Sequence, residues 1–104
     1  MNDVKFFRML GLAARMRGIA FGEGAAKDSI KAGKSNLVIV AADASDNTKK
    51  KFRNSCEFYS VRMIECSDKY TLGNQTGREF AVVLAITNQN IADELMKCFD
   101  DKSE

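Results

Sequence analysis

Apolar residues recur along the chain at two alternating spacings, which predicts helices that alternate with strands. The first helical spacing starts after Asn2 or Asp3, either of which can cap a helix, and continues to about Met16. Gly18 is expected to break this helix, and residues 19–21 (IAF) then form a short extended segment.

Two continuous apolar runs, residues 37–42 (LVIVAA) and 80–86 (FAVVLAI), are typical of strands buried on both faces. A strand of this kind needs helices above and below it. The remaining elements are a helix from Gly22 to Gly33, a helix capped by Ser45 with Phe52 turned inward, a strand over 61–64, a short helix over 69–75, and a last helix capped by Asn88. The pattern therefore predicts one domain, residues 1–104, folded as a three-layer α/β/α sandwich around a central mixed four-stranded sheet.

The residue types that the sequence lacks limit its possible functions more than its net charge does. A net charge of +2 permits a nucleic-acid partner without requiring one. The sequence has no histidine, so the commonest general base and metal ligand is missing, and its carboxylates form no convincing catalytic pair. We therefore expect a protein that is not an enzyme and that binds no cofactor and no small-molecule substrate.

The three cysteines, Cys56, Cys66 and Cys98, include no C-x-x-C pair. They fit neither a disulfide framework nor a zinc site, so we expect reduced, buried or half-buried thiols and no metal. The N-terminus is too charged for a signal peptide, and no apolar run approaches membrane-spanning length. The expected location is cytoplasmic, with no membrane partner. Asp100, Asp101 and Glu104 are expected to form a frayed acidic tail.

Two segments could bind an anionic ligand. Gly22-Glu23-Gly24 lies where a strand turns into a helix, and the N–H groups of a helix start suit a phosphate or a base edge, although such glycines also occur simply as turn residues. Lys27 and Lys31 follow on one helical face, which fits either a nucleic-acid groove or ordinary solvent. Arg78-Glu79-Phe80 enters the last strand, and ligands often bind at strand ends, although Phe80 also fits a place in the core.

Further short segments follow in a particular order over nearly the whole chain. They are Leu10-Gly11-Leu12-Ala13 with Arg15, Gly18, Gly22-Glu23, Ile30 ahead of Gly33, the strand from Leu37 to Ala41 with Asp43-Ala44-Ser45, Lys69, Leu72-Gly73, Gly77, and the apolar strand to Ile86. In this order and spacing the chain resembles the kink-turn-binding ribosomal proteins of the L-seven-Ae type, in particular their small bacterial YlxQ-like branch.

The resemblance implies that the N-terminus of the second helix enters the widened groove of a bent RNA beside sheared G·A pairs. It also implies that the loop before the last strand clasps an extruded nucleotide. The implied partner is structured RNA, in rRNA or another RNA that contains a kink-turn, and through rRNA the ribosome. The implied groove-facing residues are Gly22, Glu23, Gly24, Ala25, Lys27 and Asp28, and the implied clasping residues are Arg78, Glu79 and Phe80.

The chain departs from this pattern at the groove. RNA binders of the family typically have Asn-Glu there, with Lys three residues after the Glu, whereas the matching positions are Gly24, Ala25 and Asp28. Backbone N–H groups would have to replace these side chains, with Lys27 or Lys31 as the cation. Two alternatives to kink-turn recognition stay open: a docking module that has lost RNA binding, and a domain that assists an RNA-modifying enzyme in trans.

Overall fold

The computed structural model describes residues 2–101, which contain five helices and four strands. In chain order these are α1 (Asp3–Arg15), β1 (Ile19–Phe21), α2 (Glu23–Lys31), β2 (Leu37–Val40), α3 (Asp46–Phe58), β3 (Met63–Glu65), α4 (Lys69–Gln75), β4 (Val83–Ile86) and α5 (Gln89–Asp100). Asp100 ends α5 instead of fraying, and Glu104 of the expected acidic tail lies outside the described residues. No helix within residues 2–101 has both the length and the apolar character that crossing a bilayer requires.

The four strands form one mixed sheet in the order β1-β4-β2-β3. β4 pairs antiparallel with both β1 and β2, so that Leu84 lies between Phe21 and Ile39. β2 and β3 are parallel, and β1 and β3 are the edges of the sheet. The prediction of a mixed four-stranded sheet is confirmed.

Successive residues of β2 and β4 point to opposite faces of the sheet, and both faces are fully buried. Leu37 and Ile39 pack in one apolar cluster with side chains of α1, α4 and α5. Val38 and Val40 pack in a second cluster with side chains of α2 and α3. Two apolar faces need two helical layers, which gives the expected α/β/α sandwich.

Polar side chains cap four of the five helices at their N-termini. Asn2, Ser45, Asp68 and Asn88 each accept a hydrogen bond from a backbone N–H in the first turn, as predicted for Asn2, Ser45 and Asn88. α2 is the exception within residues 2–101, because its N-cap is Gly22, which has no side chain to offer.

Four helices end in the same hydrogen-bonding pattern, the Schellman motif, in which the residue after the C-cap is left-handed. The left-handed residues are Arg17 after α1, Gly33 after α2, Ser60 after α3 and Gly77 after α4, with φ between 58° and 78°. Gly18, which was expected to end α1, is one residue beyond the left-handed position. Arginine therefore occupies a position where glycine is the favoured residue.

Three strands differ from their predicted bounds, and for β3 and β4 a hydrogen bond to a helix accounts for the difference. The N–H of Val61 bonds to the carbonyl of Cys56 and closes α3, so β3 starts later than predicted. β2 stops at Val40. The N–H of Ala81 bonds to Lys69 in α4, which keeps residues 80–82 outside β4, and Phe80 is 56% exposed instead of belonging to a buried strand.

We expect Phe52→Ala to destabilise the protein by about 3–5 kcal/mol, since it empties a large, fully packed site between α3 and the sheet. Phe58→Ala on the same helix is the matched control, because Phe58 is 80% exposed, and its effect should stay within about 0.5 kcal/mol. Urea unfolding followed by circular dichroism measures both. Equal destabilisation of the two variants would contradict the assignment of Phe52 to the core.

Candidate nucleic-acid interface

The start of α2 presents unbonded backbone N–H groups. The first N–H to bond within the helix is that of Ala26, which donates to the carbonyl of Gly22 at 3.0 Å. The N–H groups of Glu23, Gly24 and Ala25 therefore have no partner inside the helix, and no N-cap side chain substitutes for one. Gly22 itself is fixed on the sheet by a 2.9 Å hydrogen bond from its N–H to the carbonyl of Val83.

The two glycines of this turn differ in whether the backbone conformation requires glycine at their position. Gly22 has φ of 90°, a conformation that other residues rarely adopt. Gly24 lies inside the helix, is exposed, and a Cβ added to it would meet no atom within 4 Å. Gly22 is thus needed for the backbone, whereas Gly24 leaves open space in front of the helix.

Glu23 does not point freely at a ligand. Its carboxylate accepts hydrogen bonds from Lys51 Nζ at 2.9 Å and from Thr48 Oγ1 at 3.2 Å, both on α3. The hydrogen bond from Lys51 is the main cause that lowers the pKa of Glu23 below its usual value. Glu23 ties α2 to α3 and leaves the neighbouring N–H groups as the anion-attracting feature.

The loop from 76 to 82 is tied to α4. The N–H of Arg78 donates to the carbonyl of Gly73 at 2.8 Å, and the N–H of Ala81 donates to that of Lys69 at 2.9 Å. A Cβ added to Gly73 would lie within 2.7 Å of the Phe80 backbone, so only glycine allows the loop to approach this closely. The loop has one defined path over α4, with Phe80 at its exposed side.

The predicted clasping residues take different positions. The Arg78 guanidinium carbon lies 3.7 Å from the centre of the Phe21 ring, so this side chain turns back over β1 in a cation–π contact. Phe80 and Glu79 are exposed. Phe80 is therefore the side chain of this loop that presents a free aromatic surface.

The structure brings the glycine turn and the loop together. Phe21, Gly22 and Glu23 line one wall of a groove of about 530 Å³, and residues 78–82 line the other. Glu23, the first residue of α2, and the exposed ring of Phe80 thus border one concave surface, although more than fifty residues separate them in sequence.

The other predicted residues of α2 lie along the helix, outside this groove. Ala25, Lys27 and Lys31 are exposed on its solvent side. Asp28 lines a different groove, near the C-terminal end of α2. Of α2, only Glu23 and its N-cap Gly22 therefore line the surface shared with the loop, and Gly24 follows directly beyond that lining.

Sequence reasoning did not assign a site role to Lys69 and Tyr70, which begin α4 beside the loop. Lys69 Nζ lies 5.3 Å from the centre of the Tyr70 ring, and Tyr70 is 56% exposed. The N–H of Lys69 donates to Asp43 Oδ1 at 3.0 Å, which fixes the start of α4 against the loop that follows β2. Lys69 belongs to the segments that carry the resemblance, whereas nothing in the sequence indicated the exposure of Tyr70.

The lysine-rich face of α3 is largely neutralised by acidic neighbours. Lys51 pairs with Glu23, and Lys49 and Arg53 both pair with Glu65 of β3. These acidic partners offset much of the positive charge of this face.

The cysteines are free and buried, as expected. Burial raises the pKa of Cys56 and of Cys66 to about 11, which leaves both thiols protonated and weakly reactive at neutral pH. Within residues 2–101 no group of acidic or cysteine side chains is arranged to hold a metal ion.

Residues 5–96 match the model of the Ribosomal protein L7Ae/L30e/S12e/Gadd45 family. The chain is 35% identical over 100 residues to RNA-binding protein YlxQ of Bacillus subtilis (strain 168), which covers 96% of this chain and 100% of the relative. It is 31% identical over 87 residues to RNA-binding protein YlxQ of Enterococcus faecium, which covers 84% of each. Both relatives are named as RNA-binding proteins, which supports the expectation of a non-enzymatic protein.

Two solved structures share the fold. A Bacillus halodurans protein of unknown function is 30% identical and has a TM-score of 0.91, over 93% of this chain and 98% of that one. The Giardia lamblia 15.5kD RNA binding protein is 22% identical and has a TM-score of 0.78, over 92% of this chain and 82% of that one. The second likeness concerns the fold alone.

We expect Gly73→Ala to destabilise the protein by about 1–3 kcal/mol and to displace the loop, because its Cβ would clash with the Phe80 backbone. Gly24→Ala is the control: its Cβ meets open space within a helix, so it should be neutral or stabilise by up to about 1 kcal/mol. Thermal unfolding and amide chemical shifts of residues 78–81 measure both effects. Unchanged shifts and stability in Gly73→Ala would contradict the close approach.

Proposed function

Because the chain belongs to the Ribosomal protein L7Ae/L30e/S12e/Gadd45 family, we propose that it binds structured RNA and stabilises a sharp, kink-turn-like bend. Its RNA would be rRNA or another RNA containing such a bend, and it would act in the cytoplasm in association with the ribosome or with translation. The names of both curated relatives, as RNA-binding proteins, support the RNA partner.

The observation that carries the proposal is the groove shared by the first turn of α2 and the loop over α4. The helix start supplies N–H donors and a partial positive charge for a phosphate or a base edge. Phe80 supplies an exposed ring on which an unstacked base can lie. A bent RNA offers both targets close together, because a sharp bend exposes backbone and extrudes a nucleotide at the same place.

Each side chain around this groove has a distinct role in the proposal. Phe80 packs on the extruded nucleotide, and Tyr70 with Lys69 extends the aromatic and cationic surface beside it. Arg78 is held over Phe21 and contributes its charge to the groove without pointing outward. Glu79 is exposed at the rim and would disfavour phosphates placed directly above it.

The absent Asn-Glu-Lys set changes how the bend is recognised. With Gly24 and Ala25 at the first two positions, no side chain there reads a base edge, so RNA shape and backbone contacts account for the binding. Lys27 and Lys31, both exposed on α2, supply charge in place of the missing lysine.

This same absence favours a second candidate, a docking module of the same fold that has lost RNA binding. Its surface would be the groove, whose lining is more apolar than a phosphate site needs and includes the exposed Phe80. A stoichiometric protein partner retained after ribonuclease treatment would identify this function.

The decisive measurement uses a kink-turn RNA labelled with a donor and an acceptor dye on its two arms. We expect added protein to bring the arms together, and the logarithm of affinity to fall with that of salt concentration at a slope of about −3 to −4, for roughly 3–5 neutralised phosphates. A straight duplex of equal length is the control. No binding at low salt, by protein shown to be folded, would rule out the RNA function and favour the docking module.

We expect Gly24→Glu to weaken RNA binding at least about tenfold while leaving the fold intact, because it adds bulk and negative charge in the open space before the helix. Gly24→Gln is the matched control, since it adds the same bulk without charge and should bind with intermediate affinity. Circular dichroism verifies folding of both. Wild-type affinity in Gly24→Glu would show that RNA does not approach this turn.

A further inference from the structure

A second groove lies at the opposite end of β1 from the first. It has a volume of about 370 Å³ and is lined by the start of β1, the C-terminal half of α2, Thr87, and two cationic side chains, Arg17 and Lys34. Ile19 lines this groove and Phe21 lines the first, so only the length of β1, about 7 Å between these residues, separates them. The two grooves thus follow one edge of the sheet.

The cations of this groove are unpaired. Neither Arg17 nor Lys34 forms an ion pair or a side-chain hydrogen bond within residues 2–101, and both are exposed. The cations that do form ion pairs in that part of the chain lie on α3 and α5, namely Lys49, Lys51, Arg53 and Lys97. Asp28 is the carboxylate among the lining residues, and the two cations outnumber it.

Arg17 is held at its position by a rigid turn. Its N–H donates to the carbonyl of Ala14, and that of Gly18 to the carbonyl of Ala13, which completes the Schellman motif at the end of α1. The carbonyl of Gly18 in turn accepts from the N–H of Thr87, so the turn is anchored at the end of β4.

The same motif ends α2, where glycine occupies the left-handed position and Lys34 follows it. There, the N–H of Gly33 donates to Ile30 and that of Lys34 donates to Ser29. Two Schellman turns therefore place two cations in one groove. Arg17 has a left-handed backbone conformation, which disfavours residues other than glycine. The stability of the turn therefore does not explain why this position carries an arginine side chain.

We propose that Arg17 and Lys34 form a second phosphate-binding site, which contacts the backbone of the RNA helix that leaves the first groove along the edge of β1. This rests on the proposed function. α2 spans nine residues, about 13 Å, between the two sites, with the exposed Lys27 midway along it and the exposed Lys31 at its C-terminal end. A duplex arm follows this track with successive phosphates, and no base is read.

The test uses Arg17→Gly, because glycine is favoured at this backbone position and the variant should fold at least as well as the wild type. Ser60→Gly is the matched control: it makes the same kind of replacement at the left-handed residue after α3, on the opposite edge of the sheet. Lys34→Gln removes the second cation, and Arg62→Gln removes an exposed arginine beside β3 as its control.

Binding is measured to a kink-turn RNA with two long stems and to two derivatives, each with one stem cut back to the bend. With the long-stem RNA, we expect Arg17→Gly and Lys34→Gln each to weaken binding roughly three- to tenfold. The slope of the logarithm of affinity against the logarithm of salt concentration should become shallower by about one for each phosphate that the variant no longer neutralises. Cutting back one of the stems should remove the difference from wild type, and Ser60→Gly and Arg62→Gln should bind all three RNAs normally.

The outcomes separate this site from the first one. Wild-type affinity of Arg17→Gly and Lys34→Gln for the long-stem RNA would overturn the second site while leaving the proposed function intact. Equal weakening on all three RNAs would also overturn it, since the cations would then act at the bend. If wild-type protein binds none of the RNAs, the proposed function fails and this inference fails with it.

Discussion

Burial of β4 on both of its faces is the constraint on which the rest of the structure depends. β4 pairs with β1 and β2 at once, and its alternate side chains fill the two apolar clusters between the sheet and the helices. Both helical layers are therefore needed. The start of the same strand also carries the candidate site, because Val83 holds Gly22 by a hydrogen bond while residues 78–82 enter the strand from α4. A stable core strand and a binding groove are thus built from one continuous segment.

The cationic side chains of the molecule differ in whether neighbouring carboxylates pair with them. On α3, Lys49, Lys51 and Arg53 pair with Glu23 or Glu65, which offsets part of the charge of the three consecutive lysines. Along the edge of β1, by contrast, Arg17 and Lys34 remain unpaired within residues 2–101. A small net charge is compatible with an RNA partner where unpaired cations lie close together, since phosphates respond to local charge.

Glycines serve two separate purposes in the candidate site. Gly22 gives the backbone its turn into α2, and Gly73 lets the 76–82 loop lie against α4. Gly24 serves neither purpose, and a Cβ added to it would meet no atom within 4 Å. The candidate site thus offers unbonded N–H groups at the start of α2 and an exposed aromatic ring at Phe80.

The sequence by itself determined the layered fold, since the two fully apolar runs and the alternating helical spacings admit few other arrangements. It also determined the N-caps at Ser45 and Asn88 and narrowed the first N-cap to Asn2 or Asp3, because capping depends on neighbours three residues away. Only the tertiary structure decided that Phe80 is exposed, that Glu23 turns to Lys51, and that Arg78 lies over Phe21. These outcomes depend on contacts between segments that are far apart in sequence. The local sequence pattern predicts that an apolar residue lies in the core and that a charged residue contacts a ligand, and the long-range contacts override both predictions.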